Sequence, residues 1–537
     1  MKKVETFEDI LEELGGMGKF QWLVTICIAS AQFTMGWSML QMSFASMVPD
    51  YTCIVGEGGN DTTFNDTDTL NVCEVNGTEC SRYLFHGSVN TVSSEWGLIC
   101  DLRWIKATVT SIQMGGVFLG ALISGQISDL VGRRKTLYSF VLAHIIFNLI
   151  AAFSTSWVMF AVMRFFIGTG IGSIVAVVFP YTMEFLPMKW RPLLSILPSW
   201  TVGVAFFSAA ALLLKDWSYL HIACAVCSIP SAAAFFFVPD SIRWLAVHGR
   251  IQEAEAVFGR IARMNSKPLP VETLLVLDEI ARKEKELRKS GRQYSYIDIF
   301  RGFRMTQASL SLFFFWFTMS SIFYGISFGV SSLSGNMYLN ICLLGILELP
   351  AQTSTFFISN KIGRRRSSFL FFGLSTLISL GCIVAHHTAS DDSRGAWING
   401  LSLTEKMMIG AVWSCVQTWG SELYPTVTRN LGYSFSNLGA RFGGILAPFI
   451  INLDKEMAST SYIIMTSILA FSSLLVIFLP ETRGLVLMDS IDFNSNARQA
   501  DDADRDDLLN CNGKVPPLQN VEALPRDKLI HNSHLNI

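Results

Sequence analysis

Charge is what this 537-residue chain has least of. Only 16% of its residues are Asp, Glu, Lys or Arg, while 50% are apolar; soluble domains run near about 25% charged. The deficit is uneven: long apolar stretches carry almost no charge, and the short segments between them carry nearly all of it. This argues against the several soluble domains that the length alone would suggest. With 41 Lys and Arg against 43 Asp and Glu, the net charge is −2, and no basic stripe appears, so no nucleic-acid partner is expected. No P-loop or HExxH constellation occurs, so the chain is not expected to be an enzyme, to hold a metal or cofactor, or to use ATP directly. A cleavable signal peptide is also missing. Residues 1–19 are polar and the first apolar run is too long for an h-region, so the first span is expected to act as an uncleaved anchor.

What is present is a series of apolar runs. About 17–25 apolar residues match a hydrocarbon core roughly 30 Å thick. Twelve such spans are expected at 21–48, 105–127, 136–153, 157–179, 193–214, 219–238, 307–330, 339–358, 367–385, 403–419, 431–451 and 462–479. The expected fold class is an all-α membrane protein of two six-helix bundles. The segments are a cytosolic N-terminal stretch 1–20, a first bundle 21–238 with an extracellular loop 49–104, a cytosolic linker 239–305, a second bundle 306–480, and a polar, disordered cytosolic tail 481–537.

Lys and Arg orient the chain. Arg133, Arg134, Lys135, Lys189, Arg191, the cluster from Arg243 to Arg304, Lys361 and Arg364 to Arg366 occupy one set of loops; Arg82, Lys215 and Arg394 occupy the other. The positive-inside rule places the first set and both termini in the cytosol. The loop after the first span tests this independently. It holds Cys53, Cys73, Cys80 and Cys100, and glycosylation sequons at Asn60, Asn65 and Asn76. Four cysteines in an oxidising compartment imply two disulfides, with all three pairings open. Cys224 and Cys227 form a CxxC in mid-span without ligand partners, which reads as buried thiols. Phe7, Ile10, Leu11 and Leu14 fall at helical spacing, which reads as a short helix at the membrane interface or a solvated arm.

The two halves share a signature. Gly125 to Lys135 contains Asp129, Gly132, Arg133 and Arg134; the matching turn in the second half contains Gly363, Arg364 and Arg365. Glycine permits the tight turn, and the arginines can anchor topology or reach carboxylates of neighbouring helices. Asp129 is expected to pair with one of them across the seam between the halves. Arg164, Glu184, Arg191, Arg243, Glu422, Arg429 and Glu481 are placed near cytosolic helix ends, where they form interdomain ion pairs or simply snorkel.

On these turns, and on the stretches Phe7 to Leu11, Thr91 to Cys100, Pro239 to Leu245, Glu422 to Asn430 and Leu479 to Thr482, the chain resembles the major facilitator superfamily. Within it the chain is similar to the organic ion transporters of solute carrier family 22, whose large cysteine-bearing loop the sugar transporters lack. The resemblance implies two bundles facing one central site, reached alternately from either side of the plasma membrane.

Ionisable residues inside spans point to that site. Arg441 sits among small residues and needs an anion: a substrate carboxylate or sulfate, a chloride, or a fixed partner such as Glu348. By resemblance, Arg441 matches the arginine that anion carriers of the family use. Those carriers tend to place a lysine just after a Leu-Pro-Ala stretch, where this chain has Gln352; cation carriers place an acid where Arg441 stands. A site of one Arg, one Glu and one Gln suits a zwitterion or weak monoanion. Asn437 lies one turn before Arg441. Trp316, Phe323, Tyr324, Trp413, Gln417 and Trp200 either wall the cavity or pack helices. His144 and His221 read as packing residues.

The expected function is transport of organic anions or zwitterions by facilitated diffusion or exchange, with a counter-substrate or chloride as further ligand and a monomer as the transport unit. Two readings remain open: an organic cation or sugar carrier, and a non-transporting receptor on the same fold.

Overall fold

A computed structural model describes residues 7–54, 70–75, 77–191, 198–289, 296–424, 428–453 and 459–483. The sequons at Asn60, Asn65 and Asn76 and the tail beyond residue 483 lie outside the described residues. A short helix α1 (Phe7–Glu13) precedes the first bundle. That bundle contains α2 (Lys19–Ala45), α3 (Trp104–Val131), α4 (Arg133–Ala152), α5 (Trp157–Met183), α6 (Ser199–Leu214) and α7 (Trp217–Ala233). Three linker helices follow: α8 (Ile242–Val247), α9 (Ile251–Asn265) and α10 (Thr273–Lys289). The second bundle contains α11 (Phe303–Phe328), α12 (Met337–Ile346), α13 (Glu348–Ile362), α14 (Arg364–Thr388), α15 (Asp391–Leu423), α16 (Arg429–Asn452) and α17 (Thr460–Ile477). Taking α12 and α13 as one broken span, the expected twelve are accounted for.

Helices in lipid gain little from burying apolar surface against one another, so close backbone approach has to hold them. A Cβ on Gly116 or Gly120 of α3 would stand 2.1 Å from the carbonyl oxygens of Phe165 or Thr169 on α5. Gly168 and Gly172 of α5 return the arrangement against α3. In the second bundle Gly439 and Gly443 of α16 press onto α11 in the same way, 2.1 and 2.3 Å from the Phe313 and Phe317 carbonyls.

Three expectations change. The eighth span breaks at Leu347, because Pro350 lacks the N–H that a continuous ladder needs. The tenth helix starts at Asp391 rather than 403; Asp391 and Asp392 suit a helix N-terminus, a signal that hydropathy does not carry. Helix α1 does not present its apolar stripe to lipid: Phe7, Ile10, Leu11 and Leu14 are all buried. Phe7 packs on Phe258 at 5.6 Å, and Asn265 ties the segment down by donating to the Leu14 carbonyl and accepting from Phe20 N. An amphipathic period looks the same whether lipid or protein covers it.

The repeated turn is built the same way in both halves. Gly132 has φ 107° and Gly363 φ 99°, values that favour glycine. Against each sits a carboxylate that follows a proline: Asp240 accepts from Arg134 N at 3.3 Å, and Glu481 accepts from Arg364 N at 2.8 Å and Arg365 N at 3.1 Å. A Cβ on either glycine would strike that carboxylate. Arg133 then pairs with Glu184 at 3.4 Å, as Arg364 pairs with Glu422 at 3.0 Å. Glu481→Ala is expected to lower stability by about 2 kcal/mol through loss of charge-assisted bonds. Thermal unfolding in detergent checks this; an unchanged midpoint would contradict the structural role.

Asp129, Arg191 and Arg243 pair within the first half. Asp129 pairs with Arg133 one turn away at 2.5 Å. Arg191 and Arg243 both reach Glu8 of α1, at 3.3 and 3.0 Å. Arg365 donates to the Ile477 carbonyl, and Arg429 opens α16. These pairs, like Arg133–Glu184 and Arg364–Glu422, each lie within one half rather than across the seam. Arg164 does not belong to the group: it lies near the Trp157 start of α5, at the opposite end from Glu184. Contacts between the halves lie toward the cysteine-loop end and mid-span: Ser43 to the Ser327 carbonyl at 2.7 Å, Ser111 to the Ile445 carbonyl at 2.7 Å, and Ser208 to the Tyr338 carbonyl at 2.5 Å. The structure is thus drawn together on the cysteine-loop side.

That loop pairs Cys53 with Cys80 and Cys73 with Cys100, choosing one of the three open pairings. Strands β1 (Tyr51–Ile54) and β4 (Arg82–Phe85) pair antiparallel, as do β2 (Glu74–Val75) and β3 (Thr78–Glu79). Glu95 accepts from Trp217 Nε1 at 2.5 Å and fastens the loop to α7.

Candidate functional site: an aromatic chamber with three charges

Helix periodicity assembles the chamber. On α11, Trp316 and Phe323 are two turns apart and Tyr324 adjoins Phe323; all three are buried. On α15, Trp413 and Gln417 are one turn apart, and on α16 Tyr433, Asn437 and Arg441 follow at successive turns. Three of the ring contacts are edge to face. Trp316 lies 5.3 Å from Trp413 and 5.6 Å from Tyr433, Phe323 lies 5.2 Å from Tyr324 and 5.5 Å from Trp413, and Tyr324 stacks on Phe328 at 5.8 Å. The Trp316 Nε1 is buried with no hydrogen-bond partner among the described residues.

The charges are distributed differently from the sequence expectation. Lys406 of α15 was not singled out, yet it is central. Its Nζ lies 3.5 Å from Glu348 Oε1, donates to Ser327 Oγ at 2.6 Å and to the Phe323 carbonyl at 3.2 Å, and sits 2.7 Å above the Phe323 ring centre. Lys406 and Glu348 are 1% and 4% exposed, so each is the other's main compensation. Glu348 is therefore taken. Arg441 has Tyr324 and Tyr433 as its electrostatic neighbours and no carboxylate at ion-pair distance among the described residues. Of the partners expected for Arg441, the fixed Glu348 is engaged by Lys406 instead.

The remaining residues are less central. Gln352 follows Glu348 by one turn on α13 and is half-buried. Trp200 stands on the first bundle, its ring against Gly36 of α2. Neither touches the ring cluster in a recorded contact. The first bundle meets the Arg441 helix through Met114, whose sulfur stands 3.5 Å from where a Gly444 Cβ would lie. The signal for Lys406 was in the sequence: Glu405 and Lys406 are adjacent ionisable residues near the start of the expected span 403–419.

The site thus carries one compensated ion pair, one guanidinium near two tyrosines, and a cluster of indole, phenol and phenyl rings on the second bundle. A pattern describing the sugar (and other) transporter family matches residues 24–491. Solute carrier family 22 member 7 of Sus scrofa is 30% identical over 75% of this chain and 73% of its own length. An organic cation transporter protein of Drosophila melanogaster is 26% identical over 91% of this chain and 94% of its own. Among solved structures, an inward open conformation of the xylose transporter XylE from E. coli superposes with a TM-score of 0.62 at 15% identity, over 87% of this chain and 98% of that one. The chain belongs to the sugar (and other) transporter family and, within it, to solute carrier family 22. It is a multi-pass membrane transporter with the major facilitator fold.

Proposed function

We propose that this transporter carries small organic monoanions or zwitterions with an apolar, flat body. One observation carries the reading: Lys406 holds Glu348, which leaves Arg441 as the chamber's uncompensated cation. The three charges sum to one positive. A carboxylate or sulfonate meets the guanidinium through paired N–H donors, and the rings of Trp316, Tyr324, Trp413 and Tyr433 cover the body of the substrate. Broad aromatic walls with few fixed polar groups favour polyspecificity.

The contacts between halves on the cysteine-loop side fit one state of an alternating-access cycle, by uniport or exchange. The basic turns favour a cytosolic location for that end and for both termini, in the plasma membrane. An organic cation is the second reading, since aromatic rings attract cations. Here the Phe323 face is already occupied by the Lys406 ammonium. Competition uptake in cells separates the readings: an aromatic monocarboxylate is expected to be taken up and to be displaced by other carboxylates. Displacement by a quaternary amine or a hexose alone would contradict the reading.

A further inference from the structure

A second cation lies inside the first bundle, away from the chamber. Arg164 of α5 is fully buried. Its Nη1 reaches the Ser38 carbonyl of α2 at a long 3.5 Å. Its Nε and Nη2 have no hydrogen-bond partner among the described residues, and no carboxylate there lies at ion-pair distance from it. The Phe160 ring, one turn earlier, stands 5.5 Å from the guanidinium carbon. His144 of α4 and His221 of α7, both fully buried, lie within electrostatic reach of Arg164.

Asn148 joins the two histidines. Its Nδ2 lies 3.1 Å from His144 Nε2, and its Oδ1 lies 2.9 Å from His221 Nδ1. The amide orientation that satisfies both contacts has Nδ2 donating to His144 and Oδ1 accepting from His221. His144 then carries its proton on Nδ1. That nitrogen is also buried without a partner among the described residues.

Unpartnered buried donors are rare in folded proteins and call for a ligand, water or ion. A buried guanidinium calls for negative charge in particular. The unpartnered Nε and Nη2 of Arg164 and Nδ1 of His144, on the adjacent helix, are three donors within reach of one permanent positive charge, against a single unpartnered acceptor, Nε2 of His221. Such a set suits neither a metal nor an organic cation. We propose that Arg164 and His144 hold a small inorganic monoanion of chloride size inside the first bundle, at a site separate from Arg441. Asn148 and His221 are positioning residues: they fix the His144 tautomer. A bound anion would tie α2, α4, α5 and α7 to one another.

The test is radiolabelled chloride binding to the purified full-length protein. Arg441→Ala removes the chamber cation, so any remaining site is the one proposed. One saturable chloride site is expected to persist in Arg441→Ala. Adding Arg164→Gln or His144→Leu should weaken that site at least tenfold, and Arg164→Lys should retain part of it. Chloride, compared with gluconate, should raise the unfolding temperature of Arg441→Ala but not of Arg441→Ala/His144→Leu. Should Arg164→Gln fail to fold, Arg164→Lys and His144→Leu supply the comparison. Loss of all chloride binding in Arg441→Ala, or unaltered binding in both Arg164→Lys and His144→Leu, would overturn the proposal.

Discussion

Replacing Arg441 by alanine is expected to lower uptake of an aromatic monocarboxylate by roughly 10–100-fold, the loss of a hydrogen-bonded charge contact worth about 1.5–3 kcal/mol. The amount of protein at the cell surface should stay normal. Arg441 sits on α16, whose packing rests on the Gly439 and Gly443 contacts with α11 rather than on the guanidinium. Nor does it support a fixed ion pair, because Glu348 is engaged by Lys406. Arg441→Lys should restore only part of the uptake, since a single ammonium cannot present paired donors to a planar carboxylate. Substrates held by the aromatic wall alone should lose less than carboxylates. Unaltered carboxylate uptake in Arg441→Ala would remove the basis of the proposed function.

The second large effect concerns the pair itself. Lys406→Met strands the Glu348 carboxylate in a buried setting, and breaking such a pair costs about 3–5 kcal/mol. Surface expression and anion uptake are both expected to fall sharply. The trio then holds one guanidinium and one carboxylate, so its net charge drops to zero. Glu348→Gln has the opposite effect on charge, leaving two cations, and should tighten carboxylate binding. The double variant Glu348→Gln/Lys406→Met keeps Arg441 alone, at the same net charge as the original protein. It is expected to recover both folding and anion uptake beyond the sum of the single effects. A double-mutant cycle on expression and uptake measures the coupling. Additive losses would show that the 3.5 Å contact does not compensate the two charges.

Much of the architecture was legible because lipid imposes a simple rule: backbone polar groups must be satisfied within each segment, so apolar runs become helices. The seventh span, for instance, appears as α11 at nearly the expected bounds. Where other forces act, the reading slipped. Asp391 and Asp392 extend α15 past its apolar part, and Pro350 divides α12 from α13. Helix α1 showed its period but not its partner, which turned out to be Phe258 and Asn265. The two-residue repeat Gly-Arg was visible in each half. The carboxylates that complete it, Asp240 and Glu481, lie about a hundred residues downstream in sequence, and only folding brings them to the turns.

The site divides in the same way. Arg441 and the α11 aromatics stood out because such residues are conspicuous within an apolar span. Which carboxylate would neutralise which cation was not legible, since that depends on how α11, α13 and α15 rotate toward one another. The sequence offers Glu348 as one possible partner of Arg441, whereas folding gives it to Lys406. Arg164 was grouped with the basic turns by its charge, yet its depth along α5 sets it apart from Glu184 on the same helix.

Imaging the transporter with a bound aromatic monocarboxylate, at a resolution that places its charged end, tests the central claim most directly. The account predicts both carboxylate oxygens on the Arg441 guanidinium, with the ring of the substrate among Trp316, Tyr324, Trp413 and Tyr433. A carboxylate resting on Lys406 in place of Glu348, or density outside this chamber altogether, would contradict it.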